Sequence, residues 1–261
     1  MTDTGYISIN ELNMYYEIHG NGEPLVLLHG GGSGINATFG RVLEKLAKSY
    51  KVVAFEQQGH GHTADIDRPF SLEQMAEDTA IALEKLNIPK ATLFGFSNGG
   101  HVALHLALKH PDKVNRLILA STFFNTDGVI PELKAGWATK VNAEDMPKTL
   151  RDDYLSVAPN PGGLQSHVEK SQSMMRSFNN IPEEAVTGIK KPTLIIIGDK
   201  DVVRPEHAIK MQRLIDGARL AILPGTHGSY IGELSGGLAK SRLPQVSISL
   251  VEEFMDGQLT S

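Results

Sequence analysis

Leu93-Phe94-Gly95-Phe96-Ser97-Asn98-Gly99-Gly100 lies where two sequence patterns meet. An apolar run over residues 91–96 stops at a serine flanked by small residues. A helical pattern, Val102, Leu104, Leu106, Ala107 and Leu108, begins behind it. This is G-x-S-x-G between a strand and a helix, the context in which the motif presents a nucleophile. A serine on so tight a turn sits at strained backbone angles. Glycines two residues to either side are expected, because a side chain there would strike the neighbouring strand and helix. The turn lifts the Ser97 hydroxyl clear of the sheet and aims the first helical amides at whatever it attacks. The alternative is a glycine-rich turn with a structural serine.

The same alternation extends in both directions. Residues 6–9 and 14–18 read as an edge hairpin joined through Asn10-Glu11. Short apolar runs of strand length follow at 25–28, 52–55, 92–96, 117–120, 194–197 and Arg219–Leu223. Helical patterns lie at 38–49, 72–86, 98–110, 205–215 and Leu243–Met255. Continuous apolar strands separated by helices predict an α/β fold: a mostly parallel sheet of about eight strands with helices on both faces. Residues 125–187 break the alternation. They hold no strand-like run, five prolines (131, 147, 159, 161 and 182), the only tryptophan, Trp137, and the pair Met174-Met175. A structureless loop of that length is implausible in a compact domain. The stretch is therefore expected to be a small helical cap over the strand ends, inserted into a core formed by 1–124 and 188–261. The alternative is a helical appendage that adds only bulk.

Composition narrows the class. A chain of 261 residues holds one or two domains and buries about three quarters of its unfolded surface. With 25 basic and 30 acidic side chains the net charge is −5, and no basic run is present, which argues against a nucleic-acid partner. The absence of cysteine excludes disulfides and thiolate metal sites and fits a cytoplasmic protein. The first residues carry neither a basic start nor an apolar run, so no signal peptide is expected. No stretch approaches the about 18 apolar residues that span a membrane.

A serine hydroxyl needs an adjacent base, most often a histidine oriented by a buried carboxylate. In an open parallel sheet such groups gather at the carboxyl ends of strands. Gly198-Asp199-Lys200-Asp201 follows the run 194–197, and Pro224-Gly225-Thr226-His227-Gly228 follows Arg219–Leu223. The order serine, aspartate, histidine is that of α/β-hydrolases.

With these residues in view, the chain resembles a serine-nucleophile α/β-hydrolase of the compact, capped type over nearly its whole length. The resemblance rests on five local matches in order: His29-Gly30-Gly31-Gly32, Gln58-Gly59-His60-Gly61-His62, Gly95-Phe96-Ser97-Asn98-Gly99, Gly198-Asp199-Lys200-Asp201 and Gly225-Thr226-His227-Gly228. The family pattern favours Asp201 as the acid, with Asp199 and Asp127 as alternatives. It implies an oxyanion hole built from the amide of Asn98 and that of Gly31 or Gly32. Relatives usually carry aspartate where Glu56 stands and arginine where Gln58 stands, a pair that braces a loop, so the geometry of this loop is open. His60 with His62, and His101 with His105 at helical i, i+4 spacing, invite a metal reading. No acidic residue or third histidine stands at ligand spacing beside either pair, so no metal and no cofactor is expected.

Serine at the elbow excludes relatives that use aspartate there. The resemblance implies hydrolysis of a carboxylic ester, lactone or thioester through an acyl-enzyme on Ser97, with His227 as general base and Asp201 orienting it. One alternative is a carbon–carbon bond hydrolase acting on a diketone-like acid, whose relatives bind the substrate carboxylate with an arginine; Arg151 and Arg176 are the candidates. Another is a non-catalytic ligand-binding protein of the same fold. His29, Phe124, Trp137 and Met175 are expected to line an apolar pocket for a small uncharged ester. The alternative for the aromatic and methionine residues is a core internal to the cap. The chain is expected to act as a monomer or homodimer.

Overall fold

Five of the six short apolar runs lie inside the sheet with both faces covered, while Arg219–Leu223 is a partly exposed edge strand. The structure, a computed structural model, describes residues 2–237 and 240–259. The strands are β1 (Thr2–Ile9), β2 (Leu12–His19), β3 (Pro24–Leu28), β4 (Lys51–Phe55), β5 (Ala91–Phe96), β6 (Val114–Ala120), β7 (Thr193–Gly198) and β8 (Arg219–Leu223). They pair in the order β1-β2-β4-β3-β5-β6-β7-β8. The hairpin of β1 and β2 is antiparallel, β2 pairs antiparallel with β4, and β3 to β8 run parallel.

Side chains alternate across the sheet with period two. Val26, Leu28, Leu93, Leu117, Leu119, Ile195 and Ile197 point to one face. They meet α3 (Leu72–Lys85), α4 (Asn98–Lys109) and α9 (Pro205–Leu214). Leu25, Leu27, Phe94, Phe96, Ile118, Ala120, Leu194 and Ile196 point to the other. They meet α1 (Ile35–Phe39), α2 (Leu43–Leu46) and α10 (Leu243–Met255). Covering both faces makes the strands continuously apolar rather than alternating.

One helix differs from expectation. The pattern at 38–49 is not a single helix but α1 and α2, which starts three residues earlier and breaks at Gly40. The Gly40 N–H closes α1 on Asn36 O, and a Cβ at Gly40 would lie 2.6 Å from that oxygen. Between β6 and β7 the chain forms α5 (Pro131–Ala138), α6 (Lys148–Val157), α7 (Leu164–Arg176) and α8 (Glu183–Thr187). No helix among the described residues is long and apolar enough to cross a membrane.

Candidate active site

The carboxyl ends of β5, β7 and β8 bring together residues far apart in sequence. Ser97 links β5 to α4 at φ 52° and ψ −117°, in the region that non-glycine residues seldom enter. Its N–H donates to Ala120 O at 2.8 Å, tying the turn to β6. The flanking glycines are required by close approach. A Cβ on Gly95 would lie 2.2 Å from Gly99 O, and one on Gly99 would lie 2.0 Å from Leu28 O.

His227, in the loop after β8, places Nε2 3.1 Å from Ser97 Oγ and Nδ1 2.7 Å from Asp201 Oδ1. A buried carboxylate next to Nδ1 accepts its proton in a hydrogen bond, which leaves Nε2 as the acceptor facing the serine hydroxyl. Asp201 also accepts from the Val203 N–H at 3.0 Å and from Ser121 Oγ at 2.5 Å. Burial by itself would raise the Asp201 carboxyl. The hydrogen bonds from His227, Ser121 and Val203 outweigh it and hold the pKa below the ordinary carboxylate value.

Asp199 is exposed and accepts from the Gly225 N–H at 2.7 Å, shaping the loop that carries His227. Asp127 is exposed and pairs with Lys134 at 3.3 Å. Sequence reasoning missed Ser121 and Tyr230. Ser121 has φ 50° at the end of β6, and Tyr230 Oη lies 2.7 Å from its hydroxyl while donating to Ile196 O at 3.1 Å. A small polar residue ending the run 117–120 was the available signal for Ser121; nothing in the sequence marked Tyr230.

A cavity of about 640 Å³ opens on this group. Ser97, His227, Asn98, Gly31 and Gly32 line it. Asn98 opens α4, so its N–H has no acceptor within the helix. The Gly31 backbone lies directly against Asn98, since a Cβ on Gly31 would fall 2.4 Å from Asn98 Nδ2. Trp137 and Met175 line the cavity beside Leu133, Met146, Leu150 and Val168, all from the stretch between β6 and β7.

Two expected pocket residues lie elsewhere. His29 is buried, with Nδ1 2.8 Å from Gly30 O and Nε2 accepting from the Gln57 N–H at 3.0 Å, so it ties two strand-end loops together. Phe124 is buried against His207 of α9, with ring centroids 4.5 Å apart. Its neighbour Phe123 lines the cavity instead. Arg176 is exposed, Arg151 donates to Glu144 O at 3.2 Å, and neither lines the cavity.

The loop after β4 is braced differently from the family pattern. Glu56 is buried and accepts from the Ile35 N–H (3.1 Å), the His62 N–H (2.6 Å) and His62 Nδ1 (2.9 Å). That hydrogen bond and the Glu56 charge raise the His62 pKa against a desolvation effect that lowers it. Gln58 accepts from Arg68 Nε at 2.7 Å, and Arg68 pairs with the buried Asp78 at 2.6 Å. The cation therefore comes from Arg68 rather than from position 58. His60 packs at a tilt against His29 and edge-to-face against His167, with centroids 4.9 and 4.6 Å away. His101 packs between Phe123 and Phe178. His105, half-buried one turn further on, has its pKa lowered by burial against the opposing charge of Glu73. Among the described residues, no three of His, Asp and Glu converge as metal ligands would.

Comparison with known proteins agrees with this architecture. The chain is 32% identical over 206 residues to a 2-hydroxymuconate semialdehyde hydrolase of Pseudomonas sp. strain CF600, covering 71% of this chain and 73% of that one. It is 27% identical over 243 residues to the human serine hydrolase BPHL, covering 86% and 80%. The solved enol-lactonase of Burkholderia xenovorans LB400 shares the fold with a TM-score of 0.76 at 24% identity, over 96% of this chain and 99% of that one. Residues 23–180 match the family described as alpha/beta hydrolase fold, and the chain belongs to that family.

Proposed function

We propose that the protein is a serine hydrolase that cleaves an uncharged carboxylic ester, lactone or thioester through an acyl-enzyme. Ser97 Oγ attacks the carbonyl carbon as His227 Nε2 takes the hydroxyl proton, and Asp201 stabilises the imidazolium that forms. Negative charge gathers on the carbonyl oxygen, where the amides of Asn98 and Gly31 or Gly32 face it; one such donor is worth about 3–4 kcal/mol of barrier. The tetrahedral adduct collapses as His227 returns the proton to the departing alcohol or thiol. Water, deprotonated by His227, then releases the acid and restores Ser97. In this reading residues 125–187 act as a cap on a core of 1–124 and 188–261, and the cysteine-free composition fits a cytoplasmic setting.

The observation that carries the reading is the hydrogen-bonded line Ser97–His227–Asp201 opening on an apolar cavity. The test is labelling by a fluorophosphonate together with turnover of a short-chain nitrophenyl ester. Ser97→Ala is expected to remain folded, to resist labelling and to lose at least about a thousandfold in turnover. Near-normal turnover by this variant overturns the assignment. Neither labelling nor turnover in the unaltered protein would favour a ligand-binding role.

A second reading, carbon–carbon bond hydrolysis of a diketone-like acid, draws support from the relative named for a semialdehyde of an unsaturated acid. The cavity wall weighs against it. Among the described residues no Arg or Lys lines the cavity, while Glu132 and Asp145 do, so a substrate carboxylate would find repulsion there rather than a partner.

A further inference from the structure

Two residues of helix α7 that line the cavity, His167 and Ser171, carry buried polar atoms that the proposed hydrolysis does not use. His167 is 3% exposed and lines the cavity. Its Nδ1 lies 2.9 Å from Gly59 O. A carbonyl accepts only, so Nδ1 carries the proton and Nε2 presents a bare lone pair. Among the described residues, that buried Nε2 has no hydrogen-bond partner within the protein. Ser171 stands one turn further along α7, lines the same cavity, and its buried hydroxyl likewise has no partner within the protein. A buried polar atom left unsatisfied is costly, so two on one helix face, in residues that both line a cavity, mark a place built to receive polar atoms.

The helix is fixed in place. Lys170, between the two residues, bonds Asp65 Oδ2 at 2.7 Å, Ile66 O at 2.8 Å and Arg68 O at 3.1 Å. With Nδ1 of His167 anchored on Gly59, the imidazole is held with little rotamer freedom to lose on binding.

We propose that His167 Nε2 and Ser171 Oγ form a polar subsite within the cavity that accepts a hydrogen-bond donor, a hydroxyl or an amide N–H, carried by an otherwise apolar neutral substrate. The proposal deepens the hydrolase reading and rests on it for the word substrate. Burial lowers the His167 pKa to about 4, so the ring is neutral near neutral pH and acts there as an acceptor. A carboxylate is the wrong occupant, because it would set a negative charge against that lone pair and the walls hold Glu132 and Asp145. The donor group can sit on the acyl chain or on the alcohol, and the recognising chemistry is the same.

The test compares matched pairs. Nitrophenyl esters of ω-hydroxyalkanoic acids against alkanoic acids of equal length place the donor on the acyl side. Hydroxyalkyl against alkyl esters of one common acid place it on the alcohol side. In at least one pair kcat/KM is expected to favour the hydroxylated ester. That preference should fall about tenfold in Ser171→Ala and in His167→Asn, a loss of about 1.4 kcal/mol. Asparagine places an amide N–H where Nδ1 stood, keeping the Gly59 contact while deleting the acceptor. No preference in either pair overturns the proposal, and so does an equal loss on both members of a pair, which marks a merely structural role. Binding is read separately, by calorimetry with an ω-hydroxyalkanamide against the alkanamide of the same length. A protein that hydrolyses no ester but binds the hydroxylated amide more tightly sinks the hydrolase reading and leaves the subsite standing. Equal binding of the two amides with normal ester turnover does the reverse.

Discussion

Asp201 is the residue at which sequence left most to decide. Three acidic residues lay near strand ends, and the structure separates them by what each one touches. Asp201 is buried and accepts from His227, Ser121 and the Val203 amide, whereas Asp199 is exposed and accepts from the Gly225 amide. Asp201→Asn keeps the size but presents an amide where Nδ1–H needs an acceptor, favouring the wrong tautomer of His227. A comparable change in a serine protease costs about ten-thousandfold in kcat, and a loss of that order is expected here. Asp199→Asn retains an oxygen for Gly225 and should stay within a few fold. Steady-state kinetics of the two variants decide, and a larger loss from the Asp199 change would reverse the assignment. Ser121 was not legible as a partner of Asp201, nor Tyr230 as a neighbour of Ser121. Ser121 reaches Asp201 because β6 and β7 are neighbours in the sheet, a fact of topology and not of local pattern.

At the scale of elements, the strands were legible and the cavity walls were not. Strands β3 to β7 are sealed on both faces, so burial writes itself into the sequence as continuous apolar runs. The elbow was legible for a related reason: its steric demands exclude all but glycine at fixed offsets. Gly99→Ala would force a methyl group to 2.0 Å from Leu28 O, where the neighbour is backbone and cannot turn aside. It is expected to lower stability by on the order of 3 kcal/mol, read from denaturant midpoints, and to abolish ester turnover together with fluorophosphonate labelling. Residues between β6 and β7 gave no such signal. A tryptophan or methionine on a helix can face its own helical neighbours or a ligand, and only tertiary placement chooses. Trp137 and Met175 border the cavity yet also pack against the core cluster. Their alanine variants are expected to shift kcat/KM toward longer acyl chains more than they lower Tm, because truncation enlarges the space available to substrate. A large fall in Tm with an unchanged chain-length profile would assign them to packing alone.

Over the whole molecule, burial lowers the pKa of six of the ten histidines, the half-buried His105 among them, and together they shape how stability responds to pH. Burial takes His101 to about 3 and His167 and His207 to about 4, from an ordinary value of 6.5, and it lowers His29 and His60 as well. Below 6.5 the unfolded chain takes up protons that the folded one refuses. Stability therefore falls as pH drops from 6.5 toward the folded-state values, by up to about 1.4 kcal/mol per pH unit for each of His101, His167 and His207. His62, raised by Glu56, acts in the opposite sense but is one partly exposed group. Asp201, held low, adds its own loss only as pH falls further, through its depressed folded-state value. His207 offers a clean test, because its Nε2 accepts from the Phe124 N–H at 3.1 Å and lies away from Ser97 on α9. Glutamine can present an oxygen at the same place and cannot titrate. In His207→Gln the fall of unfolding free energy between pH 6.5 and pH 4 should be shallower by about 1 kcal/mol per pH unit. Denaturant titrations across that range measure it directly. Parallel curves for the variant and the unaltered protein would show that His207 contributes nothing to the acid response, and that the remaining buried groups carry it.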